Sequence, residues 1–170
     1  MALIIIAGSE TNATLLVSIA SILAEHPEAQ RKVSEEIRSL FKNEDEITSS
    51  SVNQLTYLRA CINETMRLFP PAAIGGPRVV PRGGAMIAGD FVPENVRRPP
   101  FNLSQIGEEL TPKQTIVAVA QWAAYHSTDH FTKPLEFHPE RWLRQAPFED
   151  DNLEMFQPFG VGHRDCIARK

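Results

Sequence analysis

The sequence predicts a mainly α protein carrying small β-sheets, an α+β arrangement, and three observations support that reading. Helix-length segments with apolar residues three and four apart occupy the chain up to Phe69. Most of the 13 prolines lie beyond Phe69, so short strands and irregular chain follow the helices. With 170 residues, 42% of them hydrophobic, the chain is long enough to bury a core as one domain over 1–170. A net charge of −4 offers no basic surface for nucleic acid, and two cysteines, Cys61 and Cys166, make no disulfide framework.

Met1 to Glu25 is a long apolar stretch. No positive residue precedes it, and Glu10, Thr11 and Asn12 interrupt it, which argues against a signal peptide or membrane span. A buried helix over 1–25 is expected; an anchor formed by Met1 to Leu23 on a small interaction domain is the rival. His26-Pro27 ends that helix and starts the next, because proline disfavours helix in the residue before it and suits a first turn. From Pro27 to Phe41, Val33, Ile37, Leu40 and Phe41 share one face opposite Arg31, Lys32, Glu35 and Arg38, an amphipathic helix with no chemistry assigned. Lys42 to Asn53 reads as a polar linker with one short turn. Leu55 to Phe69 predicts a third helix, in which Glu64 and Arg67, three apart, can meet side by side. If exposed, that pair would contribute only about 0–1 kcal/mol.

The second half is predicted from its turns. Gly75-Gly-Pro-Arg78-Val-Val-Pro81 suggests a short strand, and Ala85 to Val92 a hairpin with Gly89-Asp90 at its turn. Thr115 to Ala120 reads as a further strand and Gln121 to His126 as a short helix. Phe137-His-Pro-Glu-Arg141-Trp follows. Last comes Phe159-Gly-Val-Gly-His-Arg-Asp-Cys-Ile-Ala-Arg169, a glycine-bearing loop over 156–169 around Cys166. The competing reading of this loop is a surface loop with an incidental buried cysteine, the usual fate of a lone one. His163 and Cys166 by themselves are too few for a closed zinc site.

Together these motifs resemble those of the cytochrome P-450 family, the heme-thiolate monooxygenases. The closing loop matches F-x-x-G-x-R-x-C-x-G, with Ala168 where the family usually has glycine. Ala7-Gly-Ser-Glu-Thr11 matches A-G-x-[DE]-T, Glu64-Thr-Met-Arg67-Leu-Phe-Pro-Pro71 matches E-x-x-R-x-x-P-P, and Phe137 to Trp142 matches F-x-P-E-R-[FW]. The four motifs stand in family order and cover essentially the whole chain. The resemblance implies the heme-proximal, carboxy-terminal part of that fold, truncated at both ends and fungal in style. It implies heme (iron protoporphyrin IX) as cofactor, with Cys166 as the axial iron ligand and metal-binding residue. A thiolate in that place pushes electron density toward bound oxygen and favours O–O cleavage. Gly160 and Gly162 would permit the turn and Phe159 would shield the sulfur, while Arg164 and Arg78 would pair with heme propionates. Thr11 would hydrogen-bond bound dioxygen and Glu10 would help deliver protons, the two catalytic assignments. Glu64, Arg67 and Arg141 would form a structural brace for the cysteine loop, since a guanidinium's five donors can satisfy two partners. An NADPH-dependent reductase and a small hydrophobic organic substrate are the implied partners. The implied location, for a longer eukaryotic family member, is the cytosolic face of the endoplasmic reticulum membrane.

The sequence also departs from the family pattern. It opens inside the family's central helix and stops at Lys170, four residues past Cys166, so the earlier half and the helix after the cysteine loop are expected to be missing. That makes a truncated, non-enzymatic remnant, binding heme weakly or not at all, the alternative to an oxygenase. Relatives run from Phe-Val-Pro-Glu almost directly into the strand beginning here at Thr115, whereas Val96 to Gln114 interposes 19 residues without clean period. Valine codons begin GT, Gln114 can be CAG, and Leu110-Thr111 can be CTGAC, which resembles a fungal branch site. A retained intron over 96–114 is therefore expected, with a genuine loop insertion as the competing reading.

Overall fold

A computed structural model describes residues 2–94 and 115–169. The chain divides into two compact units, one made of 1–73 and 120–170 and the other of 74–119.

Three helices open the first unit: α1 (Ala2–Glu25), α2 (Pro27–Leu40) and α3 (Thr56–Leu68). Pro27 occupies the first turn of α2, as its missing N–H allows. The linker between α2 and α3 holds two 3-10 turns, Glu44–Glu46 and Ser51–Gln54, rather than the single turn expected. α3 sits at the centre, touching α1, α2 and the 3-10 turn Pro139–Leu143. Ala29, Val33, Leu55, Ala60, Cys61, Met66 and Leu68 are buried around it, joined by Tyr125, Phe131 and Phe148.

α1 departs from expectation. It is apolar on all sides, and among its described side chains burial follows one stripe. Ile22 is buried, Leu15 and Ile19 are half-buried at the i, i+4, i+7 spacing of a packed helix face, and Leu16 and Val17 are exposed. α2 and α3 give it one packing surface, which one stripe satisfies. Among the described residues no helix is long and apolar enough to cross a membrane.

The start of α3 is held from outside. Leu55 at its N-cap has no side-chain oxygen to offer, so the first N–H groups need another acceptor. Glu36 of α2 supplies it: Oε1 accepts from the Tyr57 N–H at 2.8 Å and the Thr56 hydroxyl at 3.1 Å, and Oε2 accepts from the Leu58 N–H at 2.9 Å. Its charge also meets the positive end of the helix dipole. Sequence reading gave the polar residues of α2 no role, because this cap is 20 residues away from the helix it serves. Glu36→Ala is expected to cost about 1–2 kcal/mol, comparable to losing a local N-cap. Urea unfolding beside Glu35→Ala, whose partner is the exposed Arg31, checks this; equal midpoints would show that the cap carries no stability.

The second unit is two small antiparallel sheets. β1 (Arg78–Val79) pairs with β4 (Ile116–Val117), with Arg78 opposite Val117. β2 (Ala85–Ile87) pairs with β3 (Asp90–Val92) as a hairpin. Its turn is one residue earlier than the sequence suggested. Ile87 faces Asp90, so Ala88 and Gly89 form the loop, both at positive φ (52° and 92°) as a two-residue turn of type I′ requires. The expected strand Thr115 to Ala120 is shorter, confined to the two residues that find a partner in β1. A short helix α4 (Gln121–Tyr125) then returns the chain to the first unit. The proposed insertion at 96–114 lies outside the described residues.

Candidate functional site: a charged brace and a cysteine loop

Glu64, Arg67 and Arg141 meet, and all three are fully buried. Glu64 lies on α3 one turn before Arg67, so the two side chains leave the same face. Arg67 donates from Nη2 to Glu64 Oε1 at 2.9 Å and from Nε to Oε2 at 3.0 Å, a two-point fork. Its Nη1 reaches the carbonyls of Tyr125 at 2.7 Å and Pro134 at 2.6 Å, and Nη2 that of Glu136 at 3.2 Å. Arg141, on the 3-10 turn Pro139–Leu143, donates from Nε to both Glu64 oxygens at 3.2 and 3.3 Å and from Nη2 to the Thr132 carbonyl at 2.9 Å. Burial pushes the Arg141 guanidinium below its ordinary pKa, opposed by Glu64.

The brace has further members. Arg141 Nη1 pairs with Asp151, which is buried and whose Oδ1 accepts from the Thr132 N–H at 2.7 Å. Two guanidinium cations thus face two carboxylates, so the buried charge balances. Trp142 Nε1 donates to Glu64 Oε2 at 2.9 Å, and the His138 N–H donates to Oε1 at 3.1 Å. Phe131 lies under both guanidinium groups, 5.3 Å from Arg67 and 5.5 Å from Arg141, and Phe148 lies 4.7 Å from Arg141. Trp142 was visible in the motif that named Arg141. Asp151 was not, because it closes an acidic run, Glu149-Asp150-Asp151, that reads as solvated surface.

α4 ties the start of the cysteine loop to the brace through side-chain contacts. Phe156 packs against both Trp142 (4.6 Å between rings) and Tyr125 (5.3 Å). The next residue, Gln157, is pinned at both backbone groups: its N–H donates to the buried Tyr125 hydroxyl at 2.9 Å, and its carbonyl accepts from Gln121 Nε2 at 3.0 Å. The Gly160 N–H bonds the same carbonyl at 3.0 Å. Sequence reading assigned nothing to Gln121, Tyr125 or Gln157, and no motif marks them.

The loop itself closes on its own backbone. The Cys166 N–H donates to the Phe159 carbonyl at 2.8 Å, which brings the two ends together and leaves Cys166 exposed. Gly160 and Gly162 have φ of +71° and +81°, where a side chain would be strained, although a Cβ at Gly162 would meet nothing. Single 3-10 turns, Gly162–Arg164 and Ile167–Arg169, flank the cysteine. Ala168 sits in the second of these and is not among the positive-φ residues, so this turn makes no conformational demand for glycine there. Arg164 is exposed, Phe159 is 40% exposed and Ile167 94% exposed.

The other named residues stand on α1 or on the second unit. On α1 the Thr11 hydroxyl donates to the Ala7 carbonyl at 2.7 Å, and Asn12 Nδ2 to that of Gly8 at 2.6 Å. Glu10 is exposed. Arg78, on β1 of the second unit, bonds the nearby Gly76 and Pro77 carbonyls at 3.1 Å.

Among the described residues no three His, Cys, Asp or Glu side chains gather to hold a bare ion. Heme would ask the chain for a single sulfur donor rather than a cluster, and an exposed Cys166 on a closed loop fits that demand. The two thiols differ sharply. Burial pushes Cys61 up to about 12, so at pH 8 it stays protonated. A thiol reagent at pH 8 is therefore expected to label one cysteine rapidly in the folded chain, and to label none in Cys166→Ser; rapid labelling of the mutant would place Cys61 in reach of solvent.

The sequence profile of the Cytochrome P-450 family matches residues 1–98 and 88–170. The cytochrome P-450 monooxygenase prhB of Penicillium brasilianum is 47% identical over 163 residues, 96% of this chain and 29% of that protein. The monooxygenase tpeC of Talaromyces stipitatus is 45% identical over 166 residues, 98% of this chain and 29% of that protein. A zebra fish cytochrome P-450 solved with progesterone superimposes with a TM-score of 0.74 at 28% identity, over 98% of this chain and 32% of its own. The chain belongs to the cytochrome P-450 family. It spans about three-tenths of the length of the relatives it matches.

Proposed function

We propose that this chain is the part of a fungal heme-thiolate monooxygenase that supplies the iron's sulfur ligand and the scaffold behind it. The observation that supports this best is Cys166 presented, exposed, on a loop closed by its own N–H to Phe159 and pinned through Gln157 to α4. Heme bound there would supply oxygen activation, one atom of dioxygen entering an organic substrate and the other leaving as water, with electrons from an NADPH-dependent reductase. Small hydrophobic molecules are the substrate class, and the cytosolic face of the endoplasmic reticulum membrane the setting. Arg164 and Arg78 would each neutralise a propionate. Glu10 would hold a proton for relay. Thr11, with its own proton directed to Ala7, would present its Oγ1 lone pairs to accept a hydrogen bond from solvent or from an incoming proton donor.

A second reading has its own observation. Cys166 and Ile167 are open to water, and a thiolate in water is readily protonated or oxidised. On that reading the isolated chain is a remnant that binds heme weakly or not at all. Titration with hemin separates the two: saturable binding with one heme per chain supports the monooxygenase part, and no saturable binding supports the remnant.

A further inference from the structure

The backbone on either side of the 96–114 segment is already joined. The Thr115 N–H donates to the Glu94 carbonyl at 2.7 Å. Both flanks are also held by one short stretch of the second unit. The Glu94 carboxylate accepts from the Gly83 N–H at 2.7 Å, and the Thr115 carbonyl accepts from the Val80 N–H at 2.9 Å, continuing the β1–β4 pairing. None of these bonds uses a residue between 95 and 114.

The Glu94–Thr115 bond has a particular meaning if 96–114 is removed. Thr115 then stands two residues after Glu94, and a carbonyl bonded to the N–H two residues on is the hydrogen bond of a γ-turn, with Asn95 at its centre. A single residue therefore spans the gap with that bond in place. The family profile matches in two pieces, 1–98 and 88–170, whose overlap at 88–98 adjoins the same segment. The closing pair of any antiparallel loop bonds in this way, so the bond shows that the two flanks hold together without help from the residues between them; Val96 and Gln114, at the ends of the segment, are residue types whose codons can carry GT and AG.

We propose that residues 96–114 are the translation of a retained intron, and that the fold is complete without them, with a γ-turn at Asn95 joining β3 to β4. The segment is 19 residues, hence 57 nucleotides, and its removal preserves the reading frame. Reverse-transcription PCR on messenger RNA from the source organism, with primers in the codons of Asp90–Val92 and Gln121–Tyr125, is expected to give a product shorter than the genomic one by those 57 nucleotides. A long product alone overturns the intron. Deleting 96–114 from the chain is expected to leave far-UV circular dichroism unchanged and the thermal midpoint equal or higher. A lower midpoint or lost ellipticity overturns the claim that the fold closes without the segment.

Discussion

Glu64→Gln is expected to unfold much of this chain, at a cost of about 3–5 kcal/mol, because it leaves two guanidinium cations buried with half their counter-charge. The two Glu64 oxygens accept from five N–H donors: Arg67 Nε and Nη2, Arg141 Nε, Trp142 Nε1 and the His138 backbone. Glutamine keeps the shape but offers one acceptor oxygen and turns an NH2 group toward donors. Asp151 continues to pair with Arg141, so Arg67 bears most of the loss. Set against a total stability of about 5–15 kcal/mol, such a change is large. Urea unfolding followed by tryptophan fluorescence reads it directly, since Trp142 is itself a Glu64 partner. Lys32→Ala, which removes a half-exposed pair with Glu140, is the control and is expected to shift stability by less than about 1 kcal/mol. Equal effects from the two variants would mean that the brace is a passive neighbour of the core.

This brace shows what the sequence disclosed and what it withheld. Glu64 and Arg67 are legible because their spacing is short and helical, and Arg141 because its own motif surrounds it. Distance along the chain hides the rest. Asp151 is ten residues from Arg141 in an acidic run, and Glu36 caps a helix that starts 20 residues later. Gln157 is held by Tyr125 from 32 residues away. No local period reports such pairings; they exist only once α3 and α4 are in place. The hairpin turn was misplaced by one residue for a similar reason: alanine rarely adopts positive φ, and only the Ile87–Asp90 register forces Ala88 into it. The apolar run of α1 was legible as a helix, but how much of it is buried depends on the surface offered by α2 and α3.

Cys166→Ser is expected to abolish the long-wavelength Soret band of the reduced, carbon monoxide-treated chain after reconstitution with heme, while Cys61→Ala leaves it in place. The expectation follows from where each sulfur sits. Cys61 is wholly buried on α3 and held protonated, so it can neither reach a cofactor nor ligate as a thiolate. Cys166 is exposed, its N–H is fixed to Phe159, and the loop that carries it is positioned through Gln157 by α4. Serine preserves that loop, because neither its backbone bond nor the positive φ of Gly160 and Gly162 depends on the sulfur. The hydroxyl nevertheless stays protonated near neutrality and donates far less charge to iron than a thiolate does, so the band should vanish rather than shift slightly. A band that survives Cys166→Ser would place the ligand elsewhere and remove the basis for the heme-thiolate reading. No band in either protein would assign the exposed sulfur to a remnant whose motifs outlast its chemistry. In both cases Glu64 and its partners would still be needed for folding, because the brace acts through buried charge and not through iron.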